Sequence, residues 1–231
     1  MYFQHSPAIW QAFPQLVPGL LVAEQIDPQA DVAARLEPFY ARARAQLAAG
    51  GESDLPAITA WRRAYAQMGM KPTQYRSAAE ALLRRFRKED QLPQLHPLVD
   101  LCNAVSLAFA LPVAVFDLDQ VAGFLEVRHA QGDEQYLAFS GESERPPAGE
   151  VIFADAEGHA HARRWTFRQS RRSTVSPTTR HALIVSEGLH PSAGADIPAL
   201  IAALAHEIAA VWCAPSGQAI LAASAPRFDF S

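Results

Sequence analysis

HPLVDLCNAVSLAFALPVAVFDLD, residues 96–119, changes its hydrophobic period halfway along. Pro97 suits a first helical turn, where its missing N–H would have had no partner, and Leu98, Val99, Leu101, Cys102, Val105 and Phe109 follow at helical spacing. Pro112 has to end that helix. Val113 to Phe116 then reads as a short strand, so a helix hands over directly to a sheet.

Working outward, the C-terminal side is β-rich. Phe124–His129, Gln135–Phe139, Glu150–Ala154, His159–Gln169 and His181–Ser186 read as strands, with turns at Gly132-Asp133 and Glu157-Gly158. A helix is expected over residues 196–211, and a last strand over 217–222. On the N-terminal side, residues 31–49 repeat at helical spacing until Gly50-Gly51, and 57–68 form a second helix. KPTQYR, residues 71–76, is a loop. Ser77-Ala-Ala-Glu80 reads as a capping box whose helix runs to Lys88, burying Leu82, Leu83 and Phe86 and leaving Arg84, Arg85 and Arg87 in water. Helices first, strands in the middle and one helix late make an α+β fold, with mixed or antiparallel sheets flanked by helices. One domain over 1–231 is expected, residues 1–54 being a helical segment packed on a core of 55–231. MYFQHS at the start is given no weight.

Composition narrows the function classes. The 231 residues are 49% hydrophobic and 19% charged, with a net charge of −4, which argues against non-specific coating of nucleic acid. No apolar run approaches the roughly 18 residues of a membrane span, and the N-terminus does not read as a secretory signal. Cys102 and Cys213 make neither a metal cage nor a disulfide framework. A reducing cytoplasm fits, with no membrane association. His159 and His161 would share a strand face, yet no carboxylate or cysteine falls at ligand spacing and His206-Glu207 is not HExxH; no metal or cofactor is expected. A GxSxG elbow, a GxGxxG turn and a P-loop are all lacking.

One local asymmetry stands out. Arg163, Arg164, Arg168, Arg171, Arg172 and Arg180 lie between Glu157 and Glu187 with no acidic residue among them, and guanidinium forks match phosphate oxygens. A continuous strand over 160–169 puts Arg164, Thr166 and Arg168 on one face and His161, Arg163, Trp165, Phe167 and Gln169 on the other. Trp165 and Phe167 suit core packing first and base stacking second. Asn103, in mid-helix, calls for a hydrogen-bond partner.

Taken in order, residues 96–119, GEVIFAD at 149–155 and RRWTFRQSRRSTVSPTTR at 163–180 resemble the B3/B4 tRNA-binding and editing domain of the phenylalanyl-tRNA synthetase β subunit. The likeness spans roughly Leu55 to Gly188. W-x-x-x-Y at Trp61–Tyr65 and M-G-x-K-P at Met68–Pro72 are similar to free-standing members. The resemblance implies an editing-domain fold and a pocket that hydrolyses mischarged aminoacyl-tRNA in trans, without synthetase activity. Its partners would be the tRNA acceptor end and the amino-acid moiety.

Residue by residue, the bacterial form has Thr-Asn where Cys102-Asn103 stands, a pocket histidine where Ala114 stands, and an acidic pocket residue near Gln169 or Ser170. The resemblance implies that Asn103 orients the ester or water and that Gln169 binds the substrate amino group. Cys102, Ala114, Glu150, Arg163, Ser170 and the wall residue Trp165 would line the pocket. Arg164, Arg168, Arg171 and Arg172 would hold RNA phosphate. The alternatives are a non-catalytic tRNA or amino-acid binding module, and an enzyme acting on a small amino-acid-derived metabolite.

Overall fold

The structure is a computed structural model that describes residues 1–230 of the chain. In chain order the elements are β1 (Tyr2–His5), α1 (Pro7–Ala12), β2 (Val17–Ala23), α2 (Ala33–Ala49), α3 (Pro56–Gln67), α4 (Ala78–Glu89) and α5 (Pro97–Phe109). There follow β3 (Val113–Asp117), β4 (Phe124–His129), β5 (Tyr136–Leu137), β6 (Ser143–Glu144), β7 (Val151–Ala154), β8 (Ala160–Arg163) and β9 (Arg168–Gln169). β10 (Ala182–Gly188), α6 (Ala193–Val211), β11 (Gly217–Ile220) and β12 (Arg227–Asp229) complete the chain.

The strands form a six-stranded sheet ordered β12-β1-β4-β7-β8-β9, a four-stranded sheet ordered β11-β2-β10-β3, and the small β5-β6 ribbon. Among the named strands of the described residues, β1 and β4 pair in parallel and every other ladder is antiparallel, with one isolated parallel bridge between Gln135 and His159. The α+β reading therefore holds. Alternation along β10 explains the layering. Leu183 and Val185 face the six-stranded sheet and share one cluster with Phe153, Val127 and Trp165, while Ala182 and Ile184 share another with Leu101, Val105, Leu200 and Leu204 of the helical layer. β10 is buried on both sides, which is why ALIVSEG carries no polar residue until Ser186.

The first 54 residues correct the sequence reading. They are not a helical annex: β1 pairs with both β12 and β4, and β2 lies inside the four-stranded sheet between β11 and β10. Pro18 and Gly19 hide β2 from sequence rules, since both are disfavoured in strand interiors. Gly19 is there for packing. A Cβ on it would lie 2.6 Å from both Ile197 Cγ2 and Ile201 Cγ1, so α6 reaches β2 only over a bare backbone.

That helix also qualifies the composition argument. Ala193–Val211 has 19 residues and is apolar enough to cross a membrane, yet Ile197, Leu200, Ile201, Leu204 and Ile208 lie buried under the four-stranded sheet. The capping box is half made. Ser77 Oγ accepts from the Glu80 amide, but the Glu80 carboxylate binds Arg62 at 2.7 and 3.1 Å rather than reaching back to the cap.

Residues 159–169 are not one strand. β8 stops at Arg163 and β9 resumes at Arg168; between them Arg164 and Trp165 take φ of 49° and 59°, left-handed values that side chains with a Cβ rarely adopt. Burial offsets the strain. The Trp165 side chain is fully buried, edge-on to Trp61 and Phe13, and its backbone N–H donates to Val151.

Candidate functional site

A cleft opens where β3, the edge of the four-stranded sheet, meets β9, the edge of the six-stranded sheet. Ala114, Val185, Phe153, Ala162, Trp165 and Phe167 supply apolar walls. The cleft encloses about 70 Å³, well below the roughly 300 Å³ at which pockets begin to hold whole drug-sized ligands. It has room for one side chain.

Two acceptors face this space. Gln169 donates its Nε2–H to the Val115 carbonyl at 2.6 Å, which ties the two sheet edges together and leaves its Oε1 without a donor among the described residues. Glu187, near the end of β10, is 2% exposed and lines the cleft. Its Oε1 accepts from Trp165 Nε1 at 2.9 Å and lies 2.6 Å from His5 Nε2, while its backbone carbonyl accepts from Trp61 Nε1 at 3.3 Å. Arg168 and Thr166 add donors at the rim, the threonine hydroxyl lying 3.0 Å from that of Tyr65.

Sequence reading missed both Glu187 and His5. A signal for Glu187 was available: two residues beyond Val185, it shares the inward parity of Leu183 and Val185, so a carboxylate there enters the inter-sheet layer. His5 lies in the hexapeptide that was given no weight.

Of the expected site residues, Gln169, Ala114 and Trp165 do line the cleft, as does Arg168 from the arginine set. The others do not. Asn103 and Cys102 sit on α5, across the four-stranded sheet from it. Cys102 is sealed among Leu21, Val115 and Ile184, and burial pushes its thiol well above the ordinary range. Asn103 makes no side-chain hydrogen bond among the described residues. The expected convergence of Asn103 with Gln169 is therefore corrected: a helix laid on one face of a sheet cannot serve a cavity on the other.

Arg163 and Glu150 are spent on each other. Arg163 donates to Glu150 at 2.7 and 3.0 Å and also to Glu144; its side chain is 6% exposed and faces away from the cleft. Ser170 is buried as a cap, donating to the Leu137 carbonyl and accepting from the Arg172 amide. The arginine asymmetry is cancelled only in part in space. Arg164 lies 3.5 Å from Glu150 and Arg168 3.3 Å from Glu144, carboxylates that precede the basic run in sequence. Arg171 and Arg172 have no ion-pair partner among the described residues.

The two histidines set aside as metal ligands both turn to one carboxylate. His159 Nδ1 and His161 Nε2 lie 3.2 and 3.1 Å from Asp155 Oδ2, and His161 Nδ1 lies 2.8 Å from Ser173 Oγ. Asp, His and Ser in a chain have the composition of a hydrolase relay, but the ring is reversed: in that relay Nδ1 meets the carboxylate and Nε2 the nucleophile. His161 and Ser173 are also fully buried, and neither lines the cleft. This chain braces the fold.

Comparison with known proteins places the molecule. The family model described as "B3/4 domain" matches residues 60–197. The chain is 30% identical over 95 residues to the phenylalanine–tRNA ligase beta subunit of Bartonella henselae, covering 41% of this chain and 12% of that subunit. It is 34% identical over 67 residues to the Bartonella quintana subunit, covering 29% and 8%. The chain thus matches only about an eighth or less of those relatives' length. An N-terminal fragment of the phenylalanyl-tRNA synthetase beta subunit from Pyrococcus horikoshii superposes with a TM-score of 0.48 at 10% identity, over 94% of this chain and 49% of that one.

Proposed function

This chain belongs to the B3/4 domain family, and from that premise we propose that it recognises the acceptor end of a tRNA and hydrolyses the ester of a wrongly attached amino acid. The observation that carries the proposal is the cleft itself, an apolar slot for one side chain with two acceptors at its wall. An amino acid in ester linkage keeps its ammonium group, and Gln169 Oε1 and the Glu187 carboxylate are the acceptors suited to it. Arg168 is the cleft-lining cation that can donate to the ester carbonyl as charge develops on oxygen.

The ester is already activated, so chemistry asks for little beyond orientation. Holding substrate and water in line replaces a diffusional encounter with a positioned one. No histidine lines the cleft among the described residues, and the substrate's own vicinal ribose hydroxyl can pass the proton. Discrimination follows from the apolar walls: one methylene is worth about 10–200-fold, whereas a hydroxyl matched to a built acceptor is worth up to ~10⁴-fold or more. A cytoplasmic setting belongs to the same proposal.

Incubation of the purified protein with a panel of mischarged tRNAs tests it. At least one ester should be lost faster than its spontaneous rate; if all decay at that rate, hydrolysis is excluded. The second reading, a binding module without turnover, is favoured by the sealed Cys102 and by the distance of Asn103 from the cleft. It predicts saturable, salt-sensitive tRNA binding with no deacylation.

A further inference from the structure

The two side-chain donors that hold Glu187 choose the same oxygen. His5 Nε2 lies 2.6 Å and Trp165 Nε1 2.9 Å from Oε1, whereas Oε2 has no donor among the described residues. Oε2 is not walled in either: the unpaired side-chain atoms cut off from solvent include His5 Nδ1 but not Glu187 Oε2, and Glu187 lines the cleft. One carboxylate oxygen is thus anchored in the protein and the other is presented to the cavity.

His5 reaches this carboxylate from outside residues 60–197, the part of the chain that carries the family match. Phe3 and His5 are the inward positions of β1, which is held between β4 and β12 with His5 opposite Val127. The imidazole is boxed in edge-on by Phe3 and Trp10, at 5.2 and 5.3 Å between centroids. Nε2 is the ring nitrogen with an acceptor, so the imidazole proton belongs there and is donated to Oε1. Among the described residues no lysine or arginine pairs with Glu187, and Arg168, the other charged residue lining the cleft, already faces Glu144 at 3.3 Å. A buried carboxylate oxygen with no cation beside it favours a ligand that brings one.

We infer that His5 is a positioning residue for the ligand's α-ammonium: by anchoring Oε1 it presents Oε2 to the cleft, so the site takes amino-acid moieties whose amino group is free and rejects those whose nitrogen is acylated. The inference rests on the cleft being the amino-acid pocket and names the substrate class that pocket accepts. Acylation removes the positive charge and two of the three N–H donors of the ammonium. It also adds bulk to a cleft of about 70 Å³ that a side chain already has to share.

NMR titration with the amides of alanine, valine, leucine and phenylalanine, and with their N-acetyl derivatives, reads binding without turnover. At least one free amide should bind, and N-acetylation should weaken it by about 10- to 150-fold, the range for one hydrogen bond to a charged group. His5→Phe keeps a ring and removes the donor, and should erase most of that preference. His5→Gln, whose amide N–H can replace the imidazole Nε2–H, should keep it; a merely structural role for His5 predicts no such rescue. Should His5→Phe fail to fold, wild type and His5→Gln still decide. Equal binding of free and acetylated probes, no binding of any free amide, or a folded His5→Phe protein with the full preference would overturn the inference. Hydrolysis of free and N-acetylated aminoacyl-tRNA at equal rates would remove it while leaving the deacylase reading standing. Preference for free amides without any deacylation would do the reverse.

Discussion

Asp155 and Glu187 are both buried carboxylates, and each lies within about 3 Å of a histidine, yet they do opposite things. Asp155 is saturated. It accepts from the backbone N–H groups of Ala122, Glu157 and His159 and contacts two imidazoles. Glu187 has one indole donor and one histidine, and it faces a cavity. The difference lies in unspent acceptor capacity next to open space: a carboxylate with every lone pair claimed supports the fold, and one with capacity to spare can take a ligand.

The largest expected effect is on the saturated side. Asp155→Ala strands three backbone donors and the buried His161, and leaving several buried donors unsatisfied at about 1–3 kcal/mol each should cost about 3–5 kcal/mol. Urea unfolding should show that loss; a loss under ~1 kcal/mol would mean that water replaces the carboxylate easily. Acid titration sharpens the point. Burial pushes the Asp155 carboxyl up, but hydrogen bonds from His161 and from the His159 and Ala122 amides outweigh it and hold the carboxyl well below the usual carboxylate range. A depressed native pKa means stability that is complete above the unfolded-state value near 3.8 and lost as pH falls below it. The melting temperature of wild type should therefore drop below about pH 4, and that of Asp155→Asn should drop less.

On the ligand side, Glu187→Gln keeps the shape but removes the charge and turns one acceptor oxygen into a donor NH2. Deacylation or amino-acid binding should fall by about 10- to 150-fold, the range for one hydrogen bond to a charged group, with little change in urea midpoint. A large stability loss with unchanged turnover would move Glu187 to the Asp155 class. The smallest effect belongs to Asn103→Ala, because the four-stranded sheet separates it from the cleft. Turnover should change by less than about 2-fold, corresponding to under about 0.4 kcal/mol. A drop of an order of magnitude would mean that α5 reaches the substrate after all.

The helices were legible because each has its own period and punctuation: Pro97 opens α5, Ser77 caps α4, and Gly50 ends α2. Strands with ordinary alternation were legible for the same reason. β2 was not, because the reason for Pro18 and Gly19 lies in α6, some 180 residues away. Nor was the 164–167 turn, since its left-handed residues carry no glycine to announce them and depend on the burial of Trp165. Among the residues that line the cleft, Gln169, Ala114 and Trp165 were expected there from the resemblance and Arg168 was singled out by the arginine run as a phosphate contact, whereas Glu187 needed strand parity; His5, which meets Glu187, needed a partner in another sheet.

By itself the sequence determined the fold class, most element boundaries and, through ordered motifs, the family. Those are local properties, set by period, caps and residue order. Only the tertiary structure decided which arginines are neutralised, which face of the sheet holds the cleft, and which carboxylate keeps an acceptor free. Those outcomes depend on pairs far apart in the chain, such as His5 with Glu187 and Gln169 with Val115, whose energies exist only once both sheets are packed.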